Sequence, residues 1–375
     1  MLNKIGSAGR ILSSFTELVL IDKDRCVRLR HKWSKCDECM SSCPAGAIKV
    51  GRAGGAVNID WDKCNGCGIC SNVCKTGVYT LKNFNDKGFI DRCREIVMDY
   101  GSLEVRCGIV SDEATSNSVT VECIGIINPA HILGVIASSS GSRVHFRYDT
   151  CSNCTSKFGE AIVQRSINIT ENILTALRLD GKAVITTGNF PSGAAVRVNK
   201  CGGKKKEAEK KEVLSRRELF GYFKKKTQLS VAKTIDVFLE AEKKPTARRI
   251  DYSGKLPVKR ILMLAYMKKM GEISKDMLDT SDNALITGLE IDENKCDICG
   301  ICYKFCPAGA LTEYSISGES RAVKAGINFK PAYCVKCGLC VAACFRKAIK
   351  YADTVSMACF IGGHDLLLIR ATPQK

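Results

Sequence analysis

The run Cys296-Asp297-Ile298-Cys299-Gly300-Ile301-Cys302-Tyr303-Lys304-Phe305-Cys306-Pro307, answered by Cys334-Val335-Lys336-Cys337-Gly338-Leu339-Cys340-Val341-Ala342-Ala343-Cys344, decides how this chain folds. Each half reads C-x2-C-x2-C-x3-C. Three thiols at two-residue intervals let one tight loop wrap a cubane of iron and sulfide, offering three sulfurs to three irons while backbone N–H groups turn toward the sulfides. The fourth ligand must come from elsewhere, and in paired runs of this kind it is the fourth cysteine of the opposite half. One [4Fe-4S] centre is therefore expected on Cys296, Cys299, Cys302 and Cys344, and its neighbour on Cys306, Cys334, Cys337 and Cys340. Gly300 and Gly338 sit between ligands, where a missing side chain lets the backbone come close. Zinc ribbons favour separated C-x2-C pairs, and a disulfide framework would need an oxidising compartment.

The rhythm recurs near the N-terminus with one break. Cys64, Cys67, Cys70 and Cys74 repeat the second half, with Gly66 and Gly68 between ligands, but the first half supplies only Cys36, Cys39 and Cys43-Pro44. Trp33 stands where the first cysteine would fall. The nearest upstream thiol, Cys26, is separated from Cys36 by nine residues, so an enlarged loop would deliver it. The expected sets are Cys26, Cys36, Cys39 and Cys74 for one [4Fe-4S] centre and Cys43, Cys64, Cys67 and Cys70 for the other. The alternative is a three-iron centre with Cys26 as a bystander.

Both copies, about residues 22–85 and 290–353, resemble the bacterial two-cluster ferredoxin family. The resemblance implies a small ββ-plus-helix fold with pseudo-twofold symmetry, two [4Fe-4S] clusters within electron-tunnelling distance, and electron transfer rather than bond chemistry. The gap between paired motifs is 20 residues from Cys43 to Cys64 and 27 from Cys306 to Cys334, and the longer segment, residues 314–328, reads as an extended hairpin.

A chain of 375 residues with 45% hydrophobic content can hold two or three domains with their own cores. Of its 23 cysteines, the four sets take 16. That density fits a reducing, anaerobic setting only if the thiols hold metal. No stretch approaches the roughly 18 apolar residues that span a bilayer. The segment around residues 11–21 is short, carries Glu17 and is not expected to be a cleaved signal. Ser215-Arg216-Arg217-Glu218-Leu219-Phe220 mimics a twin-arginine signal, but it is internal and followed by Lys224-Lys225-Lys226. The cytoplasm is the expected location.

Between the cysteine copies the texture changes. β-rich runs at 103–106, 118–122, 143–148 and 183–187 alternate with helical stretches at 129–137 and 159–177, which indicates an α/β unit with a largely parallel sheet. Asn128-Pro129 is a good helix start. Cys107 and Cys123 follow their strands, and Cys151 and Cys154 form a C-x2-C between a strand and a helix. Strand ends on one edge of a parallel sheet converge, so these four thiols are expected to meet. Val105-Arg106-Cys107, Val121-Glu122-Cys123-Ile124-Gly125, Asn128-Pro129 with its apolar helix, and the later cysteine pair make this segment resemble the delta subunit of methyl-viologen-reducing hydrogenases. That family passes electrons from hydrogenase to heterodisulfide reductase. The resemblance implies a [2Fe-2S] cluster on Cys107, Cys123, Cys151 and Cys154, although this chain lacks some of the family's cysteines. A reversible Cys151–Cys154 disulfide, a zinc site and buried inert thiols are the alternatives. Cys93, Cys201 and Cys359 read as single thiols.

The chain carries 57 Lys plus Arg against 39 Asp plus Glu, a net charge of +18, and residues 204–270 hold an excess of 12 of it. The lysine run at 204–212 reads as solvated linker, with helical patches at 231–242 and 260–270. Such a connector suits docking to an acidic redox partner, a flavoprotein, hydrogenase or dehydrogenase subunit, rather than to nucleic acid, for which no motif is present. No G-x-G-x-x-G follows a strand, and the four histidines form no ligand pair.

The expected fold class is thus α+β, with ferredoxin-like dicluster modules at both ends flanking a central α/β domain. The expected domains are an N-terminal extension at 1–21, a module at 22–85, the α/β domain at 86–200, a basic helical connector at 201–289, a second module at 290–353 and a tail at 354–375. The expected function is an electron-transfer subunit of a cytoplasmic anaerobic oxidoreductase, with a reductase site at the middle cysteines, or structural or redox-sensing clusters, as the alternatives.

Overall fold

The computed structural model describes residues 18–110, 114–137, 141–148, 151–188, 256–271, 277–280, 285–317 and 322–370, all within one compact unit. The lysine run at 204–212, the helical patch at 231–242 and Cys201 lie outside them.

Each cysteine copy folds on the same plan. At the N-terminal end, strand Val19–Ile21 pairs antiparallel with Tyr79–Leu81, and Ile48–Val50 pairs with Val57–Ile59. At the C-terminal end, Gly288–Ile291 pairs with Ile349–Ala352, and the longer gap forms the expected hairpin, Leu311–Ser317 against Ala322–Phe329. One outer pair and one inner hairpin bracket two short helices in each copy, Glu38–Ser41 and Ile69–Val73 in one, Ile301–Lys304 and Leu339–Ala343 in the other. Residues beyond 353 add to the second copy. Leu366–Arg370 joins the hairpin as a third strand, and Thr354–Ser356 pairs with Met277–Asp279.

The middle region is a four-stranded sheet in the spatial order Ser118–Val121, Ser102–Cys107, Ser142–Arg147, Ala183–Thr187, with every pairing parallel. Its central strands bury Leu103, Val105, Val144 and Phe146, and the helices Pro129–Ile136 and Gly159–Ala176 bury Ile132, Leu133 and Val163. Asn128 caps the first of these, its side-chain oxygen accepting the Ala130 and His131 N–H groups at 3.0 and 3.3 Å. A further helix, Asp86–Tyr100, precedes the sheet. It starts at Asn85, which accepts the Gly88 N–H at 2.8 Å, and buries Ile90, Cys93, Ile96 and Val97 on one face.

The helical patch expected at 260–270 is the helix Val258–Met270, and its Leu262, Met263, Leu264, Tyr266 and Met267 are buried. A Cβ on Gly134 would meet the Tyr266 ring at 2.8 Å, so the absent side chain lets this helix lie against Pro129–Ile136. Its consecutive basic residues reach opposite ways. Half-buried Lys259 donates to the Asn72 carbonyl at 3.0 Å in the first cysteine copy, whereas buried Arg260 donates to the carbonyls of Ala332, Leu285 and Pro331 at 2.9, 2.7 and 3.1 Å in the second.

Candidate metal centres

The loops after Cys64, Cys296 and Cys334 wind into the left-handed region that lets backbone wrap around a metal core. Gly66 and Gly68 have φ of 71° and 77°, and the matching pairs Ile298 and Gly300, and Lys336 and Gly338, have 53° and 81°, and 49° and 76°. A branched Ile298 tolerates this conformation only where its surroundings impose it. Gly68, Gly300 and Gly338 each open the short helix that carries the third cysteine, Cys70, Cys302 or Cys340.

The sixteen thiols fall into four groups. Burial raises Cys36 and Cys39, the latter to about 11, and Cys74 and Cys26 act on both as negative neighbours. Cys26 itself is buried at the N-cap of Val27–Arg30, and Arg28 ties that segment down, donating to the Cys36 carbonyl at 3.1 Å and the Gly51 carbonyl at 3.2 Å. Trp33 instead stays half exposed, edge-on to His31 at 5.4 Å. Burial likewise raises Cys67 and Cys70, with Cys43 and Cys64 as neighbours. In the second copy burial pushes Cys302 up to about 12, helped by Cys296, Cys299 and Cys344. It pushes Cys334 to about 12 beside Cys337 and Cys306, and raises Cys340 beside all three. The structure therefore brings together each expected set, Cys26 included.

These groups fit iron–sulfur cores by their chemistry: all-thiol sets raised by burial and by one another become thiolates only when a cationic core compensates them. Among the described residues no three Cys, His, Asp or Glu side chains converge as they would around a single ion. The four thiols of the Cys43 group line one small pocket, and those of the Cys306 group line another. The Cys26 group opens onto a larger cleft, about 2060 Å³ of free space reaching solvent, whose far wall includes Cys337 and Leu339 of the second copy. Backbone N–H groups of Val78, Ala310 and Ala348 donate to the sulfurs of Cys74, Cys306 and Cys344 at 3.4, 3.2 and 3.3 Å, and the Tyr79 hydroxyl donates to Cys39 Sγ at 3.3 Å. Such bonds stabilise negative charge on sulfur. Tyr79 went unnoticed in the sequence, where only its place five residues after Cys74 marks it.

The middle thiols also approach one another. Burial raises Cys123 to about 12, with Cys67, Cys107 and Cys151 as negative neighbours, and burial raises Cys151, with Cys107 and Cys154 among its neighbours. A Cβ on Gly159 would meet Cys123 Sγ at 3.0 Å and Cys151 Sγ at 3.6 Å. Cys107, Cys123 and Cys151 all follow the carboxyl ends of parallel strands, beside the point where the strand order reverses. All four are free thiols. Cys93 is buried alone in its helix, and Cys359 is partly buried.

The 4Fe-4S dicluster domain matches the chain twice, over residues 32–78 and 288–345. The chain is also similar to pyruvate synthase subunit PorD of Methanocaldococcus jannaschii, 38% identical over 61 residues, and of Methanothermobacter marburgensis, 39% identical over 54. Those stretches are 16% and 14% of this chain and span 62% and 52% of the relatives' own length. The chain thus carries a ferredoxin-like 4Fe-4S dicluster domain at each end, the equipment of an iron–sulfur electron-transfer subunit of an oxidoreductase. Among the described residues no helix is long and apolar enough to cross a membrane.

Proposed function

We propose that this chain is the electron-relay subunit of a cytoplasmic anaerobic oxidoreductase complex, holding four [4Fe-4S] clusters on the four cysteine groups. The observation that carries the reading is that the two dicluster-domain matches fall on cysteine runs whose thiols lie together, with Cys26, Cys36, Cys39 and Cys74 on one cleft, Cys43, Cys64, Cys67 and Cys70 on one pocket, and Cys306, Cys334, Cys337 and Cys340 on another. When bound, the clusters supply one-electron oxidation and reduction without bond chemistry in a substrate. The chain's residues do the rest. The cysteines would hold the cores, the amides of Val78, Ala310 and Ala348 and the Tyr79 hydroxyl favour the reduced, more negative state, and Lys259 and Arg260 add positive charge nearby.

The convergence of Cys107, Cys123, Cys151 and Cys154 supports a fifth centre, a [2Fe-2S] cluster as the hydrogenase-delta resemblance implies. The similarity to a subunit of pyruvate synthase, together with the basic connector, supports docking to a flavin- or metal-containing partner. Iron, sulfide and zinc content of anaerobic protein, read with the EPR of its reduced form, tests the whole. About 16 irons mean four clusters, about 18 add the two-iron centre, and one zinc assigns the middle thiols a structural role. Iron below about eight would end the proposal. A partner that co-purifies and is released by salt is expected.

A further inference from the structure

The two modules meet directly. The cleft of the Cys26 group is walled on its far side by Cys337 and Leu339 of the Cys306 group's loop. Beside it, the His31 ring of the first module meets the Phe305 ring of the second edge-on at 4.9 Å, and Phe305 immediately precedes Cys306. Cys36 and Cys337 line that same cleft. The clasp formed by Lys259 and Arg260 holds one module to each side of the same helix. The first module also meets the middle domain, where Cys67 and Cys123 pack on one apolar cluster with Ile69 and Val73, and Asn65 donates to Ser156 Oγ at 2.9 Å.

From these contacts we infer that the cysteine groups form one unbroken series, in the order Cys296 group, Cys306 group, Cys26 group, Cys43 group, with the Cys36–Cys337 cleft as the joint between modules. The middle-domain thiols then stand at the far end, against Cys67. The rebuilt loop that brings in Cys26 is what opens the first module's cluster toward the second. The inference rests on the proposed cluster loading, but it concerns order, so iron content judges the one and coupling between centres judges the other.

The test uses the full chain, anaerobically loaded with iron and sulfide and fully reduced. The double substitution Cys64→Ser with Cys70→Ser removes the Cys43 centre, and Cys36→Ser with Cys39→Ser removes the Cys26 centre, each confirmed by a loss of about four irons. The series predicts that without the Cys43 centre the EPR signal of the Cys26 centre stays broadened by its neighbour across the joint. Without the Cys26 centre, and with Cys107 and Cys151 also replaced by serine so that no middle-domain centre couples to it, the Cys43 signal becomes narrow. The reverse pattern, or narrow signals in both, would overturn the order. Should either variant lose all its iron, a photo-reactive benzophenone side chain in place of Phe305 probes the joint directly. Cross-links to the peptide holding His31 support it, and cross-links confined to residues 285–370 overturn it.

Discussion

Position by position, the two dicluster modules differ at the places that touch something else. Trp33 stands opposite Cys296, Asn72 opposite Ala342 and Tyr79 opposite Ile349. Three of the four half-motifs repeat the pair of left-handed residues, at 66 and 68, 298 and 300, and 336 and 338, and the half that begins at Trp33 does not. Losing one cysteine there did not cost a single ligand alone. It removed the reason for the tight first turn, and the chain instead approaches through Lys23–Arg25 and Val27–Arg30 with Cys26 between them and Arg28 pinning the detour. The intact module shows what the motif requires for itself, and the altered one shows what a second module and a middle domain require of it.

The sharpest way to break this comparison is to treat Cys26 and Cys296 as equivalents. Serine at either removes one soft ligand from a four-thiol group, and each variant should bind about four fewer irons than the parent. If Cys26→Ser kept its full iron while Cys296→Ser lost a cluster, the N-terminal centre would be a three-cysteine site and the detour would be packing only.

The clasp should be unequal. Arg260 is buried, satisfies three carbonyls of the second module and lies over the Phe360 ring at 4.7 Å, so Arg260→Met leaves those acceptors unpaired and should destabilise by about 3–5 kcal/mol. Lys259 makes one bond, to Asn72, and Lys259→Met should stay within about 1 kcal/mol. Anaerobic thermal unfolding of the loaded protein reads both, and equal losses would mean that the helix holds the modules by its apolar face.

Much of this was legible before any coordinates. Cysteine spacing marks the two dicluster runs because loop geometry is local, and the period of the apolar residues placed all four strands of the middle sheet. The helix Asp86–Tyr100 was missed because it follows directly on a cysteine module, although its Asn85 cap and the spacing of Ile90, Cys93, Ile96 and Val97 carry the signal. For Val258–Met270, lysines and arginines at 259, 260, 268 and 269 dominated a charge count, while its buried face depends on a glycine 124 positions away at Gly134. The strand Leu366–Arg370 is five residues long and makes sense only beside its partner. The joint between modules was hidden for the same reason: Phe305 and His31 are unremarkable until they meet.

The Asn72 and Ala342 pair measures what the middle domain adds. The Asn72 amide approaches the Gly125 and Ile127 carbonyls at 3.0 and 2.7 Å and Ser166 Oγ at 3.2 Å, whereas Ala342 is exposed. Asn72→Ala should therefore cost about 1–3 kcal/mol, and Ala342→Asn should change stability by no more than about 0.5 kcal/mol. Hydrogen exchange along 124–128 should quicken in the first variant only. Matching losses in both would mean that the position matters for the short helix itself.

The smallest effect isolates a single hydrogen bond. Tyr79 gives its hydroxyl hydrogen to Cys39, and Ile349 at the matching place has nothing to give. A donor to ligand sulfur steadies the reduced core, so Tyr79→Phe should lower one midpoint potential of the N-terminal module. A net hydrogen bond of about 0.5–1.5 kcal/mol corresponds to roughly 20–60 mV for a one-electron couple. Potentiometric titration followed by EPR should find that one centre moved and the C-terminal pair unmoved. Because burial holds Cys39 near 11 even with this bond in place, the hydroxyl opposes a larger environmental penalty rather than setting the charge of the site alone. An upward shift would therefore mean that phenylalanine admitted water to the Cys26 cleft, and the two modules would then differ in solvation more than in ligand hydrogen bonding.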